Sequence, residues 1–296
     1  MDAPVLSYTD FKAIQDRRTF MLVQVEEVRG LESPSGDIEV VIAENPPVAF
    51  NKATRWHFER ECPGVFRWPA GGTALIVDCT DGKRLLLAFH KDKGAPTYAG
   101  HDTFPSGLGA SDEEVLFPLR TARREAFEEV VLHTPAGLIV PGFEDDCFGF
   151  CLEIEAIIKD SRSLYSALKG AALVNTMCRR LPLKSARTVT VKWGERTSAC
   201  EALVCVDPGV NGIDVLEALV VPVGCTAQEL RVFDGEVVGG NPLDRVIHGY
   251  EVDANFHVTG RIIDTWHGGE HMESPQGTFP HPLIPVFKAM INALNA

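Results

Sequence analysis

Arg124-Glu125-Ala126-Phe127-Glu128-Glu129-Val130-Val131-Leu132 carries the densest chemical pattern in this 296-residue chain. Wound as a helix at about 100° per residue, it gathers Glu125, Glu128 and Glu129 on a single face. Ala126, Phe127, Val130 and Val131 take the opposite face and can bury against a core. Like charges at i, i+3 and i+4 cost a helix roughly a few tenths of a kcal/mol per pair. A hard divalent cation such as Mg²⁺ turns that repulsion into ligation, because it takes carboxylate oxygens. Without such an ion the same pattern is an ordinary solvated acidic face.

The context upstream separates the two readings. Phe104-Pro105-Ser106-Gly107 precedes the helix, and Glu113 lies six residues after Gly107. With these residues the chain resembles the Nudix hydrolase family, whose box reads G-x5-E-x7-R-E-U-x-E-E-x-G-U, with U a bulky apolar residue. Gly107, Glu113, Arg124, Glu125, Glu128, Glu129 and Leu132 match it, while Ala126 is a small residue at the first U. The frame around them departs from the pattern. Ten residues rather than seven separate Glu113 from Arg124, so the loop is longer by three. Val131 stands at the box's final Gly, so the helix lacks a left-handed stop and is expected to run on to Thr134-Pro135. Ser106 stands where many members have the first Gly of a Pro-Gly-Gly run.

The resemblance implies an α/β (α+β) fold: a mixed β-sheet sandwiched between helices, with the box carrying a metal site. It also implies a reaction, the attack of water on phosphorus in a diphosphate linked to another moiety, commonly a nucleoside diphosphate derivative. Mg²⁺ or Mn²⁺ would assist by neutralising the pyrophosphate and lowering the pKa of bound water. Carried over by position, Glu125, Glu128 and Glu129 are the metal ligands, with Glu128 and Glu129 also in the catalytic set. Gly107 would meet substrate. Arg124 would be structural, pairing with a carboxylate such as Glu113 or, one turn on, Glu128. Members of the family often dimerise, which makes a homodimer an expectation here.

The general base is not located by the box. Glu217 lies in Ile213-Asp214-Val215-Leu216-Glu217-Ala218-Leu219, and strand alternation puts it on the face of Val215 and Leu219. A carboxylate on an apolar face is costly unless it is paired or used, so Glu217 is either a third catalytic residue or a satisfied ion-pair partner. Glu270 and Glu273, flanking His271, are the loop alternatives for the base. Trp266 nearby is expected either to stack on a base or to pack.

Composition sets outer bounds. The 45% hydrophobic and 23% charged fractions are those of an ordinary globular protein. No apolar run approaches the roughly 18 residues of a membrane span. The N-terminus shows neither a basic n-region nor an apolar h-region, so the expected location is the cytoplasm. A net charge of −13 argues against a long nucleic-acid groove. It leaves room for a small anionic substrate bridged to carboxylates by metal ions. The eight cysteines contain no C-x2-C pair, which argues against a cysteine-bound zinc site and against a disulfide framework.

Residues 1–69 read as an N-terminal extension or small β-rich subdomain, and 70–296 as the hydrolase domain with an insertion at about 135–195. Thr9-Asp10 would cap a short helix over 11–17. Residues 20–25 and 38–43 read as strands, with Pro34-Ser35-Gly36 as turn material. Trp56, Phe58, Phe66 and Trp68, with Arg55, Arg60 and Arg67 between them, either pack onto the main domain or stack on bases. Residues 73–77 and 84–89 are apolar strands joined through Asp81-Gly82, a strong hairpin signal. His90, Lys91 and Lys93 follow, and either meet substrate phosphate or form a basic exposed loop. Residues 138–140 and 148–158 are apolar. The spacing of Leu164, Leu168, Ala171, Ala172 and Met177 predicts a helix over 161–180. Strands are predicted over 188–193, 199–206 and 213–223, and a closing helix over 285–294 that Pro285 starts.

Three classes of function fit this pattern: an active diphosphate hydrolase, a degenerate domain of the same type that binds a nucleotide or a protein without turnover, and a scaffold with an exposed acidic helix. Metal dependence of product release separates them. Nothing local to the box selects the substrate.

Overall fold

The computed structural model describes residues 20–23, 25–33, 35–43, 48–50, 67–91, 98–144, 171–207, 212–235, 237–238, 241–242 and 245–296. In chain order the first strands are β1 (Phe20–Leu22), β2 (Val25–Arg29), β3 (Ile38–Ile42) and β4 (Val48–Phe50). Next come β5 (Arg67–Asp78), β6 (Arg84–His90), β7 (Asp102–Thr103) and β8 (Ser106–Leu108). Helices α1 (Asp112–Leu116) and α2 (Pro118–Glu129) follow. After them run β9 (Val130–Thr134), β10 (Gly137–Phe143), β11 (Leu173–Leu181), β12 (Arg187–Trp193), β13 (Arg196–Asp207) and β14 (Gly212–Pro222). The last strands are β15 (Arg231–Asp234), β16 (Val237–Val238), β17 (Asn241–Pro242), β18 (Val246–Val252), β19 (Val258–His267) and β20 (Glu270–His271). Helix α3 (Pro285–Leu294) closes the order. The fold is α+β, dominated by mixed β-sheet, with few helices among the described residues. None of the described helices is long and apolar enough to cross a membrane.

The chain divides into two compact units, with boundaries inside β5, α2 and β14. The first holds residues 1–72, 106–122 and 185–216. Here β3 lies between β2, antiparallel to it, and β12, parallel to it. The sheet continues through β13 into the first half of β14. Ile38, Val40 and Ile42 alternate into its core with Val189 and Val191. The early strands β2 and β3 thus share a sheet with β12 and β13, from a much later part of the sequence. Gly71 pairs with Gly107 across β5 and β8. A Cβ on Gly71 would stand 2.7 Å from the Ala122 nitrogen and 2.8 Å from the Pro118 oxygen. The bare backbone there lets the first turn of α2 sit directly on the strand.

The second unit holds residues 73–105, 123–184 and 217–296. Its sheet runs β15-β9-β10-β11-β14-β5-β6-β18-β19-β20. The β10–β11 pair is parallel, and β5–β6, β6–β18 and β18–β19 are antiparallel. Leu85 to Phe89 in β6 are all buried, as expected of a strand covered on both faces. Leu85, Leu87 and Phe89 pack with Ala126 and Phe127 of α2 and with Ile247 of β18. Leu86 and Ala88 point the other way, together with Tyr250, which faces Leu86 in the register and meets Phe287 of α3. One helix therefore covers each face of this sheet. Pro285 opens α3 at its first turn, as its sequence predicts. The Asn295 side chain clamps the far end of α3 to both backbone groups of Val258.

Two predicted elements are corrected. Helix α2 ends at Glu129 and passes directly into β9, so it does not run on to Thr134-Pro135. Val130 to Arg231's partner His133 pair residue by residue with β15, and β-branched Val130 and Val131 suit that role. The stop comes from elsewhere in the chain. Gly235 donates its N–H to the Glu129 carbonyl at 2.8 Å. It approaches so closely that a Cβ would lie 2.1 Å from the Glu128 carbonyl oxygen. The second correction concerns 161–180, where Leu173–Leu181 is a strand. It pairs with β10 and β14, burying Cys178 while Leu173 and Met177 stay exposed. The apolar spacing imitates a helix, but Val174, Thr176 and Cys178 alternate onto the strand's more buried side. The helix predicted over 11–17, the aromatics Trp56, Phe58 and Phe66, Lys93, the apolar run 148–158 and residues 161–170 lie outside the described residues.

Gly235→Ala should lower the free energy of unfolding by about 1–3 kcal/mol through forced repacking at the helix end. Val131→Gly, although it restores the residue usual in the box, should also destabilise, because Val131 is a buried strand residue. Urea denaturation of the full chain checks both.

Candidate functional site

The acidic face of α2 is held by two arginines. Arg124 reaches Glu128 at 2.7 Å and Glu125 at 2.9 Å, bridging two members of the trio. This is the i, i+4 alternative of the sequence reading. Glu129 is buried at the helix end, where Arg245 lies 3.3 Å from it. Arg245 also pairs with Asp234, at 2.5 and 3.0 Å, and covers the Phe89 ring at 4.2 Å. Asp234 comes into place because β15 pairs it with Val130. Glu128 is the most open of the three, its side chain 38% exposed against 12% for Glu125 and 10% for Glu129. All three offer hard oxygen donors, the chemistry that Mg²⁺ or Mn²⁺ requires.

Glu217 is buried on β14 and takes two hydrogen bonds from Arg123, at 2.8 and 3.1 Å. Arg180 adds a third contact at 3.3 Å. Arg123 is itself buried, its guanidinium 4.5 Å from the Phe143 ring. Of the two sequence readings, this geometry is the satisfied ion pair, tying the first residues of α2 in this unit to the sheet. Trp266 is fully buried and donates its indole N–H to the Leu230 carbonyl at 3.0 Å. It packs in the core and offers no stacking face to a substrate. Gly107 and Glu113 lie in the first unit. There Gly107 is a strand residue of β8, and half-exposed Glu113 pairs with Arg196 at 2.6 Å and with Arg120 at 3.7 Å. Glu114 beside it is buried and accepts from the Ala110 N–H at 2.7 Å. Lys91 follows β6 with its ammonium 5.9 Å from the Tyr98 ring. Glu270 is exposed and paired with Arg231, whose hydrogen bond lowers its pKa. Glu273 is exposed.

A second cluster has no local signature in the sequence. Asp102 is fully buried at the start of β7. One of its oxygens meets His90 Nδ1 at 2.8 Å. The other meets His248 Nδ1 at 2.9 Å and accepts from the Tyr250 hydroxyl at 2.5 Å. Burial alone would raise the Asp102 pKa. The hydrogen bonds from His248, Tyr250 and His90, with the charge of His248, outweigh it and hold the carboxyl below its ordinary value. Burial, with the negative charge of Asp102, pushes the Tyr250 hydroxyl up. His281 completes the group, its ring 4.4 Å from that of His90 and 5.0 Å from that of His248. Burial lowers the His281 pKa and so favours the neutral ring, against the opposing pull of the Asp102 charge. The described cysteines are free thiols. Burial pushes the Cys79 and Cys178 thiols up to about 12, so they stay protonated and serve as small apolar groups.

No family model matches this chain, and no curated protein matches it. Among solved structures, a NUDIX hydrolase from Alicyclobacillus acidocaldarius is similar to it at 14% sequence identity and a TM-score of 0.28. The similarity covers 60% of this chain and 76% of that one. A score of that size leaves the functional reading to the residues themselves.

Arg123→Leu should destabilise the protein by about 3 kcal/mol, the low end for a broken buried pair, because Arg180 stays beside Glu217. The double variant Arg123→Leu, Glu217→Leu should recover most of that loss in chemical denaturation.

Proposed function

We propose that this protein is a metal-dependent hydrolase of Nudix type, cleaving a diphosphate linkage in a nucleoside diphosphate derivative. The observation that supports it is the clamped acidic face of α2, where Arg124 bridges Glu125 and Glu128 while Glu129 stands beside Asp234 and Arg245. Glu125, Glu128 and Glu129, whose oxygens do not converge as the imidazoles of the second cluster do, would have to gather around Mg²⁺ or Mn²⁺, which supplies charge neutralisation at the pyrophosphate and a water of lowered pKa. Arg124 orients Glu125 and Glu128 relative to each other. Glu128, the most exposed carboxylate, is the residue of the trio best placed to take a proton from an attacking water. Arg123 and Glu217 fix the helix against the sheet, a positioning role rather than a catalytic one.

One observation favours a second reading. The Arg245 guanidinium already neutralises Glu129 and Asp234, as expected of a degenerate domain that binds a nucleotide or a partner without turnover.

Assay of the full chain against a panel of nucleoside diphosphate derivatives separates the two. Hydrolysis should require Mg²⁺ or Mn²⁺ and release a nucleoside monophosphate or phosphate. Glu128→Gln should lower the rate by more than the roughly 10–100-fold of a change outside the coordination shell. Ligand-induced thermal stabilisation without product, unchanged by chelator, would instead support the binding module.

A further inference from the structure

Strand alternation separates the two clusters of the second unit. Phe89 and Ile247 face α2, and Arg245, which pairs with Glu129, lies over the Phe89 ring. His90 and His248 occupy the alternate positions of β6 and β18, on the face of Leu86 and Tyr250 that α3 covers. The imidazoles and the acidic helix therefore sit on opposite sides of one sheet and cannot share a ligand.

We propose that His90, His248 and His281 form a binding site for a first-row transition ion of the zinc class, oriented by the buried carboxylate of Asp102. One candidate ligand nitrogen from each ring lies within 4.8 Å of the other two, and among the described residues no other histidine, cysteine, aspartate or glutamate group gathers in this way. Asp102 accepts at Nδ1 of both His90 and His248. It thereby fixes both rings as Nδ1–H tautomers and leaves both Nε2 lone pairs free. A carboxylate behind a ligating imidazole is the usual device for setting tautomer, ring orientation and basicity at a metal.

The third ring is brought in by the backbone of the same aspartate. Asp102 N–H donates to the Pro282 carbonyl at 2.9 Å, and Ile284 N–H donates to the Asp102 carbonyl at 3.2 Å. These two bonds flank Leu283, the bridge partner of Asp102, and lay the segment that immediately follows His281 along β7. Upstream, Phe279 N–H donates to the Gly260 carbonyl at 2.8 Å. A Cβ on Gly260 would strike the Phe279 ring at 2.5 Å. The His281 segment is thus fixed at both ends.

The donor set selects the ion. Three imidazole nitrogens suit zinc, copper, nickel or ferrous iron, whereas Mg²⁺ and Ca²⁺ take oxygen. Zinc sits about 2.0–2.1 Å from its nitrogens, so the rings close slightly on loading. His248 is buried, and His90 and His281 are partly exposed. With three protein ligands a fourth position would fall to water, the arrangement of a catalytic zinc rather than a closed structural one.

The test is titration of the chelator-stripped full chain with Co²⁺, followed by visible absorption, and then competition with Zn²⁺. One equivalent of Co²⁺ should give a low-coordinate spectrum that one equivalent of Zn²⁺ abolishes and a large excess of Mg²⁺ does not. His281→Ala and His90→Ala should each weaken binding by about 100-fold or more, and Asp102→Asn by about 10–100-fold. Glu128→Gln should leave the spectrum intact, so failure here is distinguishable from failure of the hydrolase reading. X-ray absorption of the zinc-loaded wild-type chain gives a readout independent of variant folding and should show imidazole scattering. The proposal is overturned if Co²⁺ fails to bind, if His281→Ala leaves the spectrum unchanged, or if the zinc shell contains no imidazole.

Discussion

The antiparallel pairing of β6 with β18, residue for residue from Arg84 opposite Val252 to His90 opposite Val246, sets the chemistry of the second unit. Each strand sends alternate side chains to opposite faces, so the register decides which residues meet which helix. In this register Leu85, Leu87, Phe89 and Ile247 form the floor beneath α2, while His90, His248 and Tyr250 look toward α3. A slip of one residue would bury imidazoles among the apolar side chains under the acidic helix. The apolar run of β6 suits either face, so the register is held by β18, where His248 must meet Asp102 and Ile247 must meet the core beneath α2.

On the α2 side, charge is balanced locally by arginines rather than left to solvent. Arg124 works along the helix, Arg245 joins its end to β15, and Arg123 anchors its middle to Glu217 and, through it, to Arg180. A buried guanidinium–carboxylate pair adds little net stability over apolar packing, but removing one partner is costly. Such pairs therefore specify where the helix sits more than they strengthen the fold. The Gly235 backbone does the same at the other end, accepting the role that a left-handed glycine inside the box would have played.

Features governed by short-range pattern were legible in the sequence. The acidic face of α2, the apolar strands around Asp81-Gly82 and the proline-started α3 all follow from periodicity and local turn chemistry. Where the reading departed from the structure, the cause was a partner distant in the chain. Val130 and Val131 leave the helix because β15 supplies a strand to pair with, and Leu173–Leu181 extends because β10 and β14 stand on either side. Trp266 and Glu217 show the same limit at the level of side chains. Their residue types suggested chemistry, but the Leu230 carbonyl and the Arg123 guanidinium, both remote in sequence, take up their polar atoms. The imidazole cluster was invisible for this reason too. In the sequence His90 is a neighbour of basic residues, and nothing in its own surroundings points to Asp102, His248 or His281.

The reach of Asp102 has a further consequence for how the molecule is made. Its side chain contacts a histidine 146 positions later, and its backbone grips the segment around Pro282. During synthesis the carboxylate must wait, charged and without these partners, until His248 and the Pro282 segment have emerged from the ribosome. Loop closure over such a span is slow relative to local structure. The burial of Asp102 thus follows local structure in the order of assembly, and its carboxylate stays hydrated until the distant strands close over it.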